Sequence, residues 1–459
     1  MLKLTMSTGI VVVLIGLFVV GIAATTYYYS IPRPTSLRIL HTHSEVMVDE
    51  IVRAFEEWYQ AQPGYGHPIK VTATHTDPET AYEKATAIFR TAEAEIWWGG
   101  QLALFEDAYD RLLPYNSTGK DDSDLTHSYS LRDTSKSTPR WYAASLYGLG
   151  VMYNEHRLQE LDLPVPQTWA DLTTHDYKGS ITMVDPSESE LTLPLIMLVL
   201  QHKNWTSGWE YLVTLSALIE EYATDELNSA LKVSSDYLPL AIVPDFYAYE
   251  RMALGLPGLQ FTYLDGTILQ PDPIAILERG VHLTEAKAFV NYILTPEAQN
   301  IIGKYLMPMH QNATVFPSEH NPFDPAFPHI YEYNATLHGI IGDYYRTWIA
   351  RKLDEIKLAY EEIREANITK DANSNATHYF NLAWKNFTYA GHYQSSIEIE
   401  NLYNATSNWT EGVAAYIGKW EGSKWVEGQW GIASALTYTS ALTNAQKSRQ
   451  AAEADAPAS

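Results

Sequence analysis

Four apolar runs along this chain end in small, polar or aromatic residues. LRIL leads into HTHSE by 45, AEIW into WGG by 100, a third run into VDPSESE at 184–190, and LAIV into PDFYAYE at 240–250. An α/β protein delivers side chains to a ligand site in this way, from the carboxyl ends of its strands. LRIL at 37–40 predicts a first strand. EVMVDEIVRAFEEWY at 45–59 repeats apolar residues at 47, 51, 55 and 58, the spacing of a helix face. IKVTAT at 69–74 alternates like a strand, YEKATAIFRTA at 82–92 returns to a helical pattern, and AEIWWGG at 94–100 reads as a buried strand that breaks on glycines. This β-α-β-α alternation predicts an α/β fold with a mainly parallel sheet.

Two later segments, WYAASLYGLGVMYN at 141–154 and FTYLDGTILQPDPIAIL at 261–277, look like crossings between lobes. They predict a first lobe over 37–145, a second over 146–267 and a return to the first over 268–320, with the crossings acting as a hinge around a central cleft. Beyond 320 the texture changes, and 321–445 is expected to form a helical extension that opens with a long amphipathic helix at 340–366. Trp420, Trp425 and Trp430 recur every five residues, which fits neither a helix face nor a strand face and predicts a compact turn-rich element. The small and polar residues of 446–459 predict a disordered tail.

The amino terminus suggests a compartment. Lys3 precedes an uncharged apolar run, 9–24, followed by the aromatic cluster Tyr27 to Tyr29 and a Pro-containing linker at 31–36. With its flanks the run approaches the ~20 residues that span a bilayer, and the tyrosines fall where an interfacial belt sits. Residues 1–30 therefore read as a transmembrane anchor or a signal peptide, the small residues Gly21 and Ala23 allowing cleavage. The expected location is the extracellular face of the cell membrane, or outside the cell if the signal is removed. Nine of the 18 asparagines stand in N-x-[ST] sequons, namely Asn116, Asn204, Asn312, Asn334, Asn367, Asn375, Asn386, Asn404 and Asn408. Chance at average composition gives about two, so the excess points to N-linked glycans and again to export.

The net charge of −24, from 31 Lys+Arg against 55 Asp+Glu, excludes nucleic acid as a natural partner. It does not exclude a small anion, because helix N-termini make local positive sites. The absence of cysteine removes disulfides, thiolate metal sites, thiol nucleophiles and a lipidated cysteine anchor. No zincin, nucleophile-elbow, P-loop or dinucleotide motif is present, and the 15 histidines show no metal-helix spacing with a third ligand. The sequence therefore predicts neither an enzyme nor a cofactor or metal site.

The residues that could bind a ligand sit at the strand endings. His43 and Ser44 lie at the start of a predicted helix, where a cap or an anion sits. Trp98 offers an aromatic surface, and Gly99 and Gly100 a close backbone approach. Asp245, Tyr247 and Tyr249 follow the strand LAIV, with Phe246 between them. Together with GLGVMYNEHRL at 148–158, LPVPQTWADL at 163–172, DPIAIL at 272–277 and AKAFVNYILTPEAQ at 286–299, these segments resemble the solute-binding proteins of ABC importers. The similarity runs over roughly 37–345, and within the family it points to the branch of ferric-iron-binding and hexose-phosphate-binding proteins.

The resemblance implies a two-lobed periplasmic-binding-protein-like fold of type II, delivery of a small ligand to a membrane permease, and no catalysis. The ferric-binding members carry two adjacent tyrosines where this chain has Phe246 and Tyr247, which weakens a tyrosinate iron site. The hexose-phosphate-binding members place carboxylates where Asp245 and Asp265 stand, implying acceptors for sugar hydroxyls. Ser187 and Ser189 resemble a serine turn that holds the anionic end of the ligand, although the family's following Gly and Thr are Glu190 and Leu191 here. The implied ligand is a sugar phosphate or organic anion. The alternatives are a ferric ion on the same fold, or a glycosylated structural role at the cell surface. The pattern also suggests an archaeal source.

Overall fold

A computed structural model describes residues 35–65, 67–87, 93–118, 138–311, 313–314, 321–331, 338–371, 373–389 and 424–454. In chain order its main elements are β1 (Thr35–His41), α1 (Glu45–Ala61), β2 (Ile69–His75), α2 (Pro78–Thr86), β3 (Ile96–Trp98), α3 (Leu102–Asp107), β4 (Trp141–Asn154) and α4 (Glu155–Glu160). They continue as β5 (Ile181–Val184), α5 (Pro194–Lys203), α6 (Trp205–Leu218), β6 (Ile219–Ala223), α7 (Glu226–Ser234), β7 (Leu240–Pro244), α8 (Asp245–Ala253), β8 (Leu259–Thr262) and β9 (Gly266–Ile276). The chain then runs through α9 (Leu283–Ile293), α10 (Pro296–Ile302), β10 (His329–Tyr331), α11 (His338–Trp348), α12 (Leu353–Thr369), α13 (Ser374–Phe387) and α14 (Lys424–Ala454).

The described residues fall into two compact units. The first takes those up to 144 together with 272–302, and the second takes 145–271 and everything from 303 onward. In the first unit β1 pairs in parallel with β2, Leu37 opposite Val71, and with β3, Leu40 opposite Trp97. The last residues of β9 add an antiparallel edge, Trp98 opposite Ile274. α1 covers one face of this sheet, because its apolar stripe, Ile51, Phe55 and Tyr59, is fully buried. Phe55 meets Phe289 of α9 edge-on at 5.0 Å. A second cluster contains Ala81, Trp97, Phe105 and Trp141, with Trp97 stacked on Phe105 at 3.7 Å.

In the second unit β4 pairs antiparallel with β7, Gly150 opposite Val243, and with β8, Val151 opposite Thr262. β5 runs parallel to β7 and β6. α6 buries Trp209, Leu212, Val213, Leu215 and Leu218 around nearly its whole circumference, the mark of a helix enclosed on several sides. The carboxyl-terminal extension encloses part of it, Trp209 meeting Tyr344 of α11 at 4.8 Å. α11 to α14 share one continuous core with α6, containing Tyr345, Trp348, Ile356, Ile363, Phe387 and Tyr438.

The end of the chain departs from its sequence reading. Lys424–Ala454 is one helix, so Trp425 and Trp430 belong to a helix and not to a turn-rich element, and the expected tail is helical as far as Ala454. The cause is a seam of small side chains. Ser434, Tyr438, Ala441, Ala445, Ser448 and Ala452 are all buried, at alternating steps of four and three that keep one face toward a neighbouring helix. Ser448 Oγ donates to Ala376 O at 2.7 Å and Asn373 Nδ2 donates to Ala451 O at 2.7 Å, tying α14 to the start of α13. Trp420 and the apolar run of 9–24 lie outside the described residues. Among those described, no helix is long and apolar enough to cross a membrane.

Candidate functional site

Each unit gathers predicted residues at its strand ends. In the first, Ser44 is the N-cap of α1, its Oγ accepting from Met47 N at 3.5 Å, and Glu45 follows in the first turn. His43 lies over Trp98 with ring centroids 4.8 Å apart, and its Nε2 is 3.3 Å from Asp272 Oδ2. Gly99 and Gly100 take φ of +88° and +115°, a region most side chains avoid. A Cβ on Gly99 would stand 2.4 Å from Thr42 Oγ1 and 2.6 Å from His43 Nε2, so the glycine makes the room that His43 occupies. Asp272, whose carboxylate faces the imidazole, went unnoticed as a site residue in the sequence because it reads as the polar start of the strand DPIAIL.

Trp98, expected to offer an aromatic wall, has no exposed surface in the first unit. It is fully buried and packs on Phe289 at 6.0 Å, making it a floor beneath His43. His41, at the end of β1, is fully buried beside His75 at 5.6 Å. Burial first, then the neighbouring His43 and His75, push its imidazole down to about 4, so it is neutral in ordinary conditions.

In the second unit β7 ends at Pro244, and Asp245 opens α8. Asp245 is 1% exposed. Its Oδ2 accepts from Gly148 N at 2.8 Å and from the Tyr263 hydroxyl at 2.7 Å, while its Oδ1 has no hydrogen-bond partner. Burial pushes this carboxyl up to about 7, against the lowering influence of Tyr263 and of the N–H groups of Gly148 and Phe246. The Tyr249 hydroxyl lies 2.9 Å from that of Tyr263. Tyr247, its ring tilted against Phe246 at 4.5 Å, has its phenol pushed upward by burial and then by the carboxylates of Glu226 and Asp225. That shift opposes a phenolate, the form that would ligate ferric iron.

The serine turn lies in the same unit. Ser187 donates through both N and Oγ to Asp185 Oδ1, at 2.8 and 2.7 Å. Ser189 Oγ donates to Glu226 and accepts from Leu191 N at 3.2 Å and Thr192 N at 3.3 Å. Glu226 is buried and also accepts from Thr192 Oγ1 at 3.0 Å. The Ser189 hydroxyl proton is thus committed inside the protein, which gives this serine a framing role where the sequence suggested an anion donor.

Asp265 also has another task. Its Oδ1 accepts from Trp169 N at 2.9 Å, its Oδ2 is 3.3 Å from His202 Nε2, and His202 Nδ1 meets the Tyr331 hydroxyl at 2.7 Å. The carboxylate thus accepts the first N–H of the helical turn Trp169–Thr173. Gly148, Tyr263 and Glu226 were missed in the sequence because their roles depend on pairings between β4, α7, α8 and the loop after β8. Among the described residues, no group of three or more His, Asp or Glu is placed to hold a metal ion.

Residues 112–329 match the model of the bacterial extracellular solute-binding protein family. The phosphoglycerate transport regulatory protein PgtC of Salmonella typhimurium is 32% identical over 181 residues, 38% of this chain and 44% of that protein, so the match spans less than half of that relative. Among solved structures, the periplasmic binding protein AfuA from Actinobacillus pleuropneumoniae, with exogenous fructose-6-phosphate bound, has a TM-score of 0.54 at 22% identity, covering 71% of this chain and 99% of its own. The periplasmic binding protein P5PA has a TM-score of 0.53 at 21% identity, covering 69% and 99%. With its α/β units and a helical extension after the matched region, the chain has the periplasmic-binding-protein fold, and over 112–329 it is similar to the extracellular solute-binding proteins.

Proposed function

We propose that this protein is the substrate-binding component of an ABC importer, capturing a small phosphorylated or carboxylated solute that also carries hydroxyl groups and handing it to a membrane permease without transforming it. One observation carries the reading: the buried Asp245 has one oxygen held by Gly148 N and Tyr263 and the other left without a partner. An unpartnered buried acceptor is costly unless something donates to it, and a sugar-like hydroxyl supplies that donor. Within the first unit by itself, the start of α1 after Ser44 offers backbone N–H groups, chemistry that suits an anionic group. The relative whose name refers to phosphoglycerate transport and the neighbour bound to fructose-6-phosphate both concern hydroxylated phosphates. The ferric alternative is disfavoured by Phe246 and by the raised phenol of Tyr247.

The same reading places the chain outside the cytoplasm, held by residues 9–24 or released by cleavage after them, and carrying N-linked glycans. The exposed sequon asparagines Asn116, Asn204, Asn367 and Asn375 are the sites best suited to carry them. Thr388, the hydroxyl residue of the Asn386 sequon, is buried, which suits that one less. Asn312, Asn334, Asn404 and Asn408 lie outside the described residues. Titration calorimetry of the full chain with fructose-6-phosphate, 3-phosphoglycerate and ferric citrate tests the ligand class. Tight ferric binding with no response to either phosphate would replace this reading with the metal one.

A further inference from the structure

The carboxyl-terminal extension reaches back to the serine turn through one side chain. Arg346 of α11 donates from Nη2 to Ser187 O at 2.7 Å and from Nε to Glu188 Oε1 at 3.0 Å, while its Nη1 is held by Asp343 Oδ1 at 2.6 Å. The helix that carries it is fixed on three sides. The Tyr345 hydroxyl lies 2.8 Å from that of Tyr222 and 3.1 Å from Ser216 Oγ, Tyr344 packs on Trp209 at 4.8 Å, and Trp348 is fully buried. α11 therefore has little freedom to slide, and the guanidinium is a fixed point against the turn.

The turn needs such a point. It is short, it holds the acids Asp185, Glu188 and Glu190, and its ties to the rest of its lobe include side-chain bonds through the carboxylates of Asp185 and Glu226. Three carboxylates on six residues repel one another and any anion nearby. Arg346 supplies the opposing positive charge, satisfies a backbone carbonyl and binds Glu188 in one planar fork, a geometry lysine cannot reproduce.

We propose that Arg346 is a positioning residue for the 185–190 turn, through which the helical extension sets the solute affinity of the unit it is packed on. The affinity half of this statement rests on the solute-binding reading above, together with the anion-holding role that the family resemblance implies for the turn at Ser187. The positioning half does not. The extension then acts as a built-in brace that holds the turn in its binding shape and offsets its negative charge.

The experiment compares the full chain with Arg346→Gln and Arg346→Lys in two measurements. Hydrogen exchange of the ligand-free proteins reads the turn itself. The Ser187 and Glu188 amides should exchange at least about tenfold faster in Arg346→Gln, with Leu40 and Leu212 unchanged and Arg346→Lys intermediate. Calorimetry with fructose-6-phosphate and 3-phosphoglycerate should show about tenfold weaker binding in Arg346→Gln, partly recovered in Arg346→Lys, while the ligand-free melting temperature stays within about 2 °C. Unchanged exchange at 187 and 188 overturns the proposal. So does unchanged affinity, or exchange that rises throughout the unit with a large fall in melting temperature. If the unsubstituted protein binds neither phosphate, the solute reading fails by itself, and the exchange data still decide whether Arg346 positions the turn.

Discussion

The Tyr263 hydroxyl donates to Asp245 Oδ2 at 2.7 Å, joining the loop after β8 to the first residue of α8 inside the second unit. This bond, with the one from Gly148 N, aims the carboxyl group and leaves its other oxygen open. It is too weak to offset burial, which pushes the group up to about 7. Aim and proton affinity thus have separate causes in one residue.

The titration of Asp245 has a sign that can be checked. Its folded value, about 7, lies above the 3.8 of an ordinary aspartate. The native state therefore holds the proton more tightly than the unfolded chain does. The stability from this group is fully present below about pH 4 and is lost as pH rises through about 7. Thermal melts of the ligand-free protein between pH 5 and 8 should show a decline that Asp245→Asn flattens. Identical slopes in the two proteins would mean that the carboxyl ionises like an exposed one.

Gly99→Ala should be far more damaging than a one-carbon change suggests. The new Cβ would fall 2.4 Å from Thr42 Oγ1 and 2.6 Å from His43 Nε2, on a backbone with φ of +88°. Strain of this kind costs about 1–3 kcal/mol, and relief requires His43 to leave Asp272. Urea unfolding should report the loss. Gly100→Ala, whose Cβ would meet only Pro78 at 3.5 Å and Thr42 at 3.9 Å, shares the backbone strain without the collision and should cost less.

The extension should unfold together with the second unit's sheet, because both share one core. Trp348 is fully buried in it, 5.8 Å from Tyr344. Trp348→Ala should remove about 3–5 kcal/mol, seen as an earlier denaturant midpoint at both the tryptophan fluorescence and the circular dichroism of the whole unit. A separate early transition confined to a fraction of the helix signal would show that the extension is a body of its own.

How much of this was legible in the sequence depends on range. β1, α1 and β2 followed from local periodicity, since each buries one face against a neighbour close in the chain. The cap at Ser44 and the glycine pair after Trp98 were legible for the same reason. Asp245 was found because it ends an apolar strand, but its partners were not: Gly148 and Tyr263 lie 97 and 18 residues away. Asp265 and Ser189 looked equally suited to a ligand, and only the fold reveals Trp169 N, His202 and Glu226 as their partners. The two ends of α14 were read as a turn-rich segment and a loose tail because its seam is built largely from Ala and Ser. Those residues carry little hydrophobic signal and matter through close approach to α12 and α13.

The open oxygen of Asp245 makes the most direct prediction about ligand binding. An ionised carboxylate only accepts, so a solute hydroxyl that donates to Oδ1 favours the charged form. Affinity for fructose-6-phosphate or 3-phosphoglycerate should then rise as pH increases from 6 to 8, opposite to the trend in ligand-free stability. Asp245→Asn keeps the shape but replaces one acceptor oxygen with a donor, and Asp245→Ala removes both. Losing a charged hydrogen-bond partner costs about 1.5–3 kcal/mol, so both variants should bind at least about tenfold more weakly and lose the pH dependence. Calorimetry at three pH values separates the outcomes. Affinity that falls with pH would show the carboxyl acting as a protonated donor to the ligand, and affinity indifferent to both substitutions would remove Asp245 from the site and leave it as the buried anchor between Gly148 and Tyr263.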